Sequence, residues 1–94
     1  MVDAAEALRI GFVHEVVAAD QLDAKVDELV RALTGASPNA VRACKTLVQE
    51  VADRDIDAAL IARTVAGIAD IRASAQGKEG VQAFLQKRKP GWLA

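Results

Sequence analysis

Ninety-four residues are enough for one small domain and no more. Twelve basic residues against thirteen acidic ones leave a formal net charge of −1, so no general electrostatic pull toward nucleic acid or an anionic membrane is expected. The one cysteine, Cys44, excludes a disulfide framework within the chain and favours a reducing compartment, the cytoplasm by default. No apolar run has the length of a membrane span, and Asp3 and Glu6 stand where a signal peptide would need a basic and then an apolar stretch.

The hydrophobic fraction of 52% overstates the core, because 20 of the 94 residues are alanine. Alanine favours helix but buries little area per residue. The aromatics are Phe12, Phe84 and Trp92 only. Closely packed helices that gain further burial from another domain or subunit suit this composition better than a self-sufficient globule.

In chain order, a short helix is expected from about Asp3 to Arg9, capped by Asp3 and stopped by Gly11. Phe12 to Val17 is rich in β-branched residues and reads as a brief strand or extended connector. A second helix should begin near Asp20, with Leu22, Val26, Leu29, Val30 and Leu33 on one stripe and Gly35 as its terminator. Ser37-Pro38 restarts the chain, serine as N-cap and proline at the first helical position. This third helix places Val41, Cys44, Leu47, Val48 and Val51 on one side.

Asp55 can cap a fourth helix from Ile56 to about Ala73. Its apolar residues cover well over half its circumference, which in so small a chain suggests contact with something beyond the chain itself. Ser74 can cap a last helix running to Lys87 or Arg88, with Pro90-Gly91 beyond it. The expected fold is mostly α: four to five short helices and one short extended segment.

Few residues offer chemistry. His14 is the one histidine, and its neighbour Glu15 points to the opposite face of an extended segment, so a solvent-facing or packed connector residue is the ordinary reading. Cys44, on an apolar helix face without a histidine, reads as a buried thiol acting as a small hydrophobe. The acidic set Asp23, Asp27 and Glu28 reads as a solvated helix face. No residues stand at metal-ligand spacing, and Gly77 and Gly80 do not form a phosphate loop after a strand. The chain alone is not a complete enzyme.

The last helix is the most informative element. On a continuous helix, Gly80, Phe84 and Lys87 fall along one edge at i, i+4 and i+7, giving a close-approach gap, a flat ring and a cationic tip in series. Val81, Phe84, Leu85 and Arg88 share a stripe. Two readings are open. The edge could cover the adenine or ribose of a nucleotide-like ligand while the ammonium meets phosphate. Alternatively, Phe84 packs in the core and Lys87-Arg88-Lys89 offset the negative end of the helix dipole.

Three blocks carry a family resemblance. Ala4 to Val17, AAEALRIGFVHEVV, resembles an "A-x-E-A-x-x-x-G-L-V-x-x-V-V" passage, with Phe12 in place of leucine. Ser37-Pro38 followed by the Lys45-containing helix is similar to "S-P-x-A-x-x-x-x-K". Glu79 to Pro90, EGVQAFLQKRKP, resembles the ending "E-G-x-x-A-F-x-E-K-R-K-P", with Gln86 in place of glutamate. In this order and spacing they resemble the C-terminal portion of the crotonase superfamily, the enoyl-CoA hydratases and isomerases, across essentially the whole chain.

The resemblance implies that residues 1–94 form the C-terminal helical, trimer-building domain, and that the catalytic N-terminal β-β-α spiral is absent. Met1 is then expected to be an added start at a cut. In such enzymes two backbone N–H groups hold the thioester oxygen and one or two glutamates move protons, all within the spiral. Glu6, Glu15, Glu28, Glu50 and Glu79 are therefore not expected to be catalytic, and the chain alone is expected to be inactive.

Binding is what the resemblance carries over: Phe84 and Lys87 match the residues that help hold the nucleotide end of CoA. The implied partners are the chain's own catalytic domain and sister subunits in a trimer or dimer of trimers, with acyl-CoA as substrate. No cofactor, metal, nucleic acid or membrane is expected. The Cys44-Lys45 helix and the Lys-Pro-Gly-Trp ending further resemble hydratases of branched glutaconyl-CoA substrates. The alternative from another class is a stand-alone helical module that binds a protein through the fourth helix.

Overall fold

In the computed structural model, residues 1–93 are described, and they contain five α-helices: α1 (Ala4–Arg9), α2 (Leu22–Gly35), α3 (Pro38–Val51), α4 (Ala58–Ala73) and α5 (Ala75–Leu85). Short 3-10 turns cover Ala19–Gln21 and Gly91–Leu93. Among the described residues there is no strand, so the connector reading of Phe12 to Val17 holds and the strand reading does not. The chain divides into two compact units, Met1–Arg31 and Ala32–Ala94.

In the first unit, Asp3 caps α1 as expected, its Oδ1 accepting the Glu6 N–H at 2.8 Å. The helix ends on Gly11 at φ +78°. The Gly11 N–H donates to the Leu8 carbonyl at 3.1 Å, and the Phe12 N–H reaches back to the Ala7 carbonyl at 2.9 Å. That pair of bonds is the left-handed helix stop, and glycine adopts its backbone without a Cβ clash. Ala7 is the unit's buried residue.

In the second unit, Ser37 caps α3 by accepting the Ala40 N–H at 3.2 Å, with Pro38 next in line. The Ser37 hydroxyl also donates to Gln76 Oε1 at 2.5 Å, and the Asn39 N–H reaches the same oxygen at 3.1 Å, tying the start of α3 to α5. A fork from Arg63 of α4 to Glu50 of α3 joins those helices and holds the Glu50 carboxyl below its ordinary range.

The start of α4 differs from the expected one. Asp57, not Asp55, is the cap: its Oδ1 accepts the Leu60 N–H at 2.8 Å, and Ile56 stays outside the helix. Two aspartates two residues apart offer the same local signal, and the one that caps the helix bonds the N–H of the buried Leu60. At the α4–α5 corner the Ser74 hydroxyl accepts from the Gly77 N–H at 3.1 Å and donates to the Ile71 carbonyl at 2.6 Å. Gly77 is required by this corner, because a Cβ there would lie 2.1 Å from the Ile71 carbonyl oxygen.

The core is small: Leu60 and Ala83 are the buried apolar residues of this unit. Ile61, Val65 and Ile68 of α4 are each more than half exposed, as the over-apolar circumference of that helix suggested. Cys44 is also exposed, contrary to the buried thiol expected from its helix face. Leu47 and Val48, on the same stripe, are exposed with it, so nothing within the described unit covers that part of α3.

Candidate functional site at the end of the last helix

The site is built by the sequence Glu79 to Trp92. Helix α5 stops at Leu85, two to three residues before its expected end. Gln86 is the C-cap, and Lys87 turns into the left-handed region at φ +53°. Its N–H donates to the Phe84 carbonyl at 3.2 Å, and the Arg88 N–H donates to the Ala83 carbonyl at 3.0 Å. This is the stop seen at Gly11, with a lysine at the left-handed position.

The expected straight edge Gly80–Phe84–Lys87 is therefore not formed. Gly80 and Phe84 remain one helical turn apart, but Lys87 has left the helical path. The backbone bond from Lys87 to Phe84 still brings these two residues into one turn. The gap at Gly80 is also filled from within the chain, since a Cβ at Gly80 would stand 3.3 Å from Trp92 Cη2. The indole Nε1–H of Trp92 donates to the Gly35 carbonyl at 3.3 Å.

Phe84 does not pack in a core; it is 81% exposed. Lys87 is exposed, and its ammonium has no carboxylate or hydrogen-bond acceptor among the described residues. An open aromatic ring and an open cation thus share one turn of chain.

Arg88 behaves differently. Its guanidinium forks onto both oxygens of Glu79, at 2.6 and 3.1 Å, and also donates to Gln86 Oε1 at 2.7 Å and the Lys89 carbonyl at 3.2 Å. It is therefore not a free member of the Val81–Phe84–Leu85 stripe. Glu79 Oε1 further accepts the Gly91 N–H at 2.9 Å. The Arg88 fork first, and the Gly91 N–H second, hold the Glu79 carboxyl down at about 2. Sequence reasoning set Glu79 aside as non-catalytic and did not see this structural use. The signal available was an acid nine residues before a base, across a helix end marked by Pro90-Gly91.

The other candidates stay apart from this turn. His14 is exposed in the connector of the first unit, and Asp23, Asp27 and Glu28 lie on the exposed face of α2. Lys25, on the same helix, pairs with Glu28 at 3.2 Å. No group of three or more His, Cys, Asp or Glu residues gathers at metal-binding range among the described residues. Nor is any described helix long and apolar enough to cross a membrane.

The described residues are thus an all-helical arrangement with exposed apolar residues on α4 and an exposed ring and cation on the turn that ends α5. Its ancestry is specific: the chain belongs to the enoyl-CoA hydratase/isomerase family, whose model matches residues 1–94. It is 33% identical over 91 residues to the mouse (Mus musculus) enoyl-CoA hydratase domain-containing protein 3, mitochondrial, covering 97% of this chain and 30% of that protein. It is 34% identical over 95 residues to a crotonyl-CoA hydratase of Syntrophomonas wolfei, covering 100% of this chain and 36% of the relative. A Legionella pneumophila crystal structure, assigned by its description to enoyl CoA hydratase/isomerase (crotonase), superposes with a TM-score of 0.89 at 36% identity. That match covers 96% of this chain and 35% of the other. The chain thus spans about a third of the length of the relatives it matches.

Proposed function

We propose that these residues are the C-terminal helical domain of an enoyl-CoA hydratase or isomerase, serving oligomerisation and contact with CoA. The observation that carries this reading is that the exposed Phe84 and Lys87, whose ammonium has no partner among the described residues, are joined by a backbone bond in the turn that ends α5. The ring would cover the adenine of CoA, and the ammonium would meet a phosphate. Neither group moves a proton in the reaction.

Hydration or isomerisation of the acyl-CoA double bond belongs to a catalytic spiral outside these 94 residues, with the CoA thioester as substrate and no separate cofactor. The exposed apolar residues of α4, Ile61, Val65 and Ile68, support a role in meeting that spiral or sister subunits of a trimer or dimer of trimers. The same face supports the second reading, a stand-alone helical module that binds another protein. An in-frame spiral coded upstream of Asp3 favours the first reading, and untranslated sequence there favours the second. We place the chain in the cytoplasm, a reading its single free cysteine supports only as far as a reducing compartment; the mouse relative is described as mitochondrial.

The test is an assay of the purified chain with crotonyl-CoA. We expect no hydration above the uncatalysed rate, and enzyme-dependent loss of the double-bond absorbance would contradict the assignment of chemistry to the absent spiral. Sedimentation of the same sample should show concentration-dependent association through α4, against which a strict monomer at high concentration would count.

A further inference from the structure

We infer that Glu79 is the positioning residue for Lys87: its carboxylate, gripping Arg88 and the Gly91 N–H, holds Lys87 in the left-handed backbone of the turn it shares with Phe84. Lys87 has a Cβ, so its φ of +53° is disfavoured relative to glycine at the same place. Something outside the residue must hold it there.

Besides the two backbone bonds of the stop itself, side-chain bonds flank Lys87 on both sides. The residue after Lys87 is fixed by the two-oxygen fork between Arg88 and Glu79. The residue before it, Gln86, accepts from the Arg88 Nε–H, so the two neighbours of Lys87 are tied to each other across it. The Gln86 amide also donates to Gln82 Oε1 at 3.1 Å, one turn back along α5. Downstream, the Gly91 N–H closes onto the same Glu79 carboxylate, so the chain from Arg88 to Gly91 is held at both ends by one side chain. Glu79 itself sits within α5, whose frame is set by the Ser74 cap. The carboxylate thus carries helix geometry into the turn that displays Lys87, and its grips fall on Arg88 and Gly91, leaving the Lys87 ammonium without a partner among the described residues.

The binding arm of this inference rests on the CoA reading proposed above; the backbone arm does not. The test uses the full chain with and without Glu79→Gln, followed by NMR. The Lys87 H(N)–Hα coupling and carbon shifts report its φ, and a CoA titration reports affinity. We expect Glu79→Gln to move the Lys87 signals from left-handed toward extended values. As the competent conformer falls to about a tenth of the population, CoA affinity should weaken about tenfold.

D-lysine in place of Lys87, introduced by ligation at Cys44, favours positive φ intrinsically and should restore affinity in the Glu79→Gln background. A Glu79→Gln chain that loses stability while its Lys87 couplings stay left-handed would show a merely structural role. Should Glu79→Gln prevent folding, Arg88→Lys removes the fork while keeping the charge, and the same Lys87 signals are read. Left-handed Lys87 signals that persist in either variant overturn the positioning role, whatever CoA does. An unsubstituted chain that ignores CoA overturns the binding reading alone, and the couplings still decide the role of Glu79.

Discussion

Helices α1 and α5 end through the same pair of backbone bonds, but the residue at the left-handed position is Gly11 in one and Lys87 in the other. At α1 the turn only has to stop the helix and start the connector, and glycine does so without strain. At α5 a branched-from-Cα cationic side chain occupies a conformation that disfavours it by roughly 1–2 kcal/mol. Strain of this kind persists where surrounding contacts over-determine it, and it clusters where a side chain is wanted in a particular place. The difference separates a turn that shapes the chain from one that also displays a group.

The comparison breaks most severely if α5 loses its beginning. Gly77→Ala would put a methyl group 2.1 Å from the Ile71 carbonyl oxygen, a backbone atom that cannot swing aside. A loss of about 3 kcal/mol or more is expected in urea unfolding, together with loss of exchange protection at the Arg88 N–H. An alanine variant of unchanged midpoint would show that the α4–α5 corner is less fixed than described.

The two stops should then respond with opposite signs to exchange of their residues. Gly11→Ala, forced to φ +78°, should destabilise the first unit by about 1 kcal/mol and speed exchange of the Phe12 N–H. Lys87→Gly should stabilise the α5 stop by roughly 0.5–1 kcal/mol and slow exchange of the Arg88 N–H. If Lys87→Gly destabilises instead, the lysine is there for the backbone and the contrast between the turns disappears.

Acid supplies the smallest and most local perturbation. Glu79 titrates at about 2 in the folded chain against an ordinary 4.5, so the folded state binds its proton less readily than the unfolded state. Its contribution is complete above about pH 4.5 and fades as pH falls toward 2, with protection of the Gly91 N–H fading in step. The Glu79→Gln chain should lack this step. A Glu79 carboxyl that titrates near 4.5 by carbon NMR would mean the fork is not held in solution.

What was legible in the sequence was mostly local. Asp3, Ser37 and Ser74 announce caps and Gly11 a stop, because each device involves residues no more than a few positions apart. The start of α4 lies two residues beyond the one the sequence suggests, because Asp55 and Asp57 send the same local signal and the folded chain uses Asp57. The end of α5 was overrun because Gln86, Lys87 and Arg88 are all good helix formers, and no glycine marks the stop. That stop is accompanied by a clip from Glu79 to Arg88 and Gly91, with a sequence separation invisible to local propensity. Phe84 and Lys87 were singled out by position and by family resemblance, but their shared turn, and the occupation of the Gly80 gap by Trp92, emerge only from the folded backbone. The exposure of Cys44 is not legible in the sequence, because an apolar stripe tells which face can be covered, not whether this chain covers it.

The central claim, that the Phe84–Lys87 turn is a contact surface for the nucleotide end of CoA, is tested most directly by NMR titration of the chain with CoA and, in parallel, with pantetheine, which lacks the nucleotide. The account predicts that the Phe84 ring and Lys87 side-chain signals shift together with CoA and stay in place with pantetheine. CoA shifts that fall elsewhere and leave this turn unmoved, or equal responses to the two compounds, would contradict it.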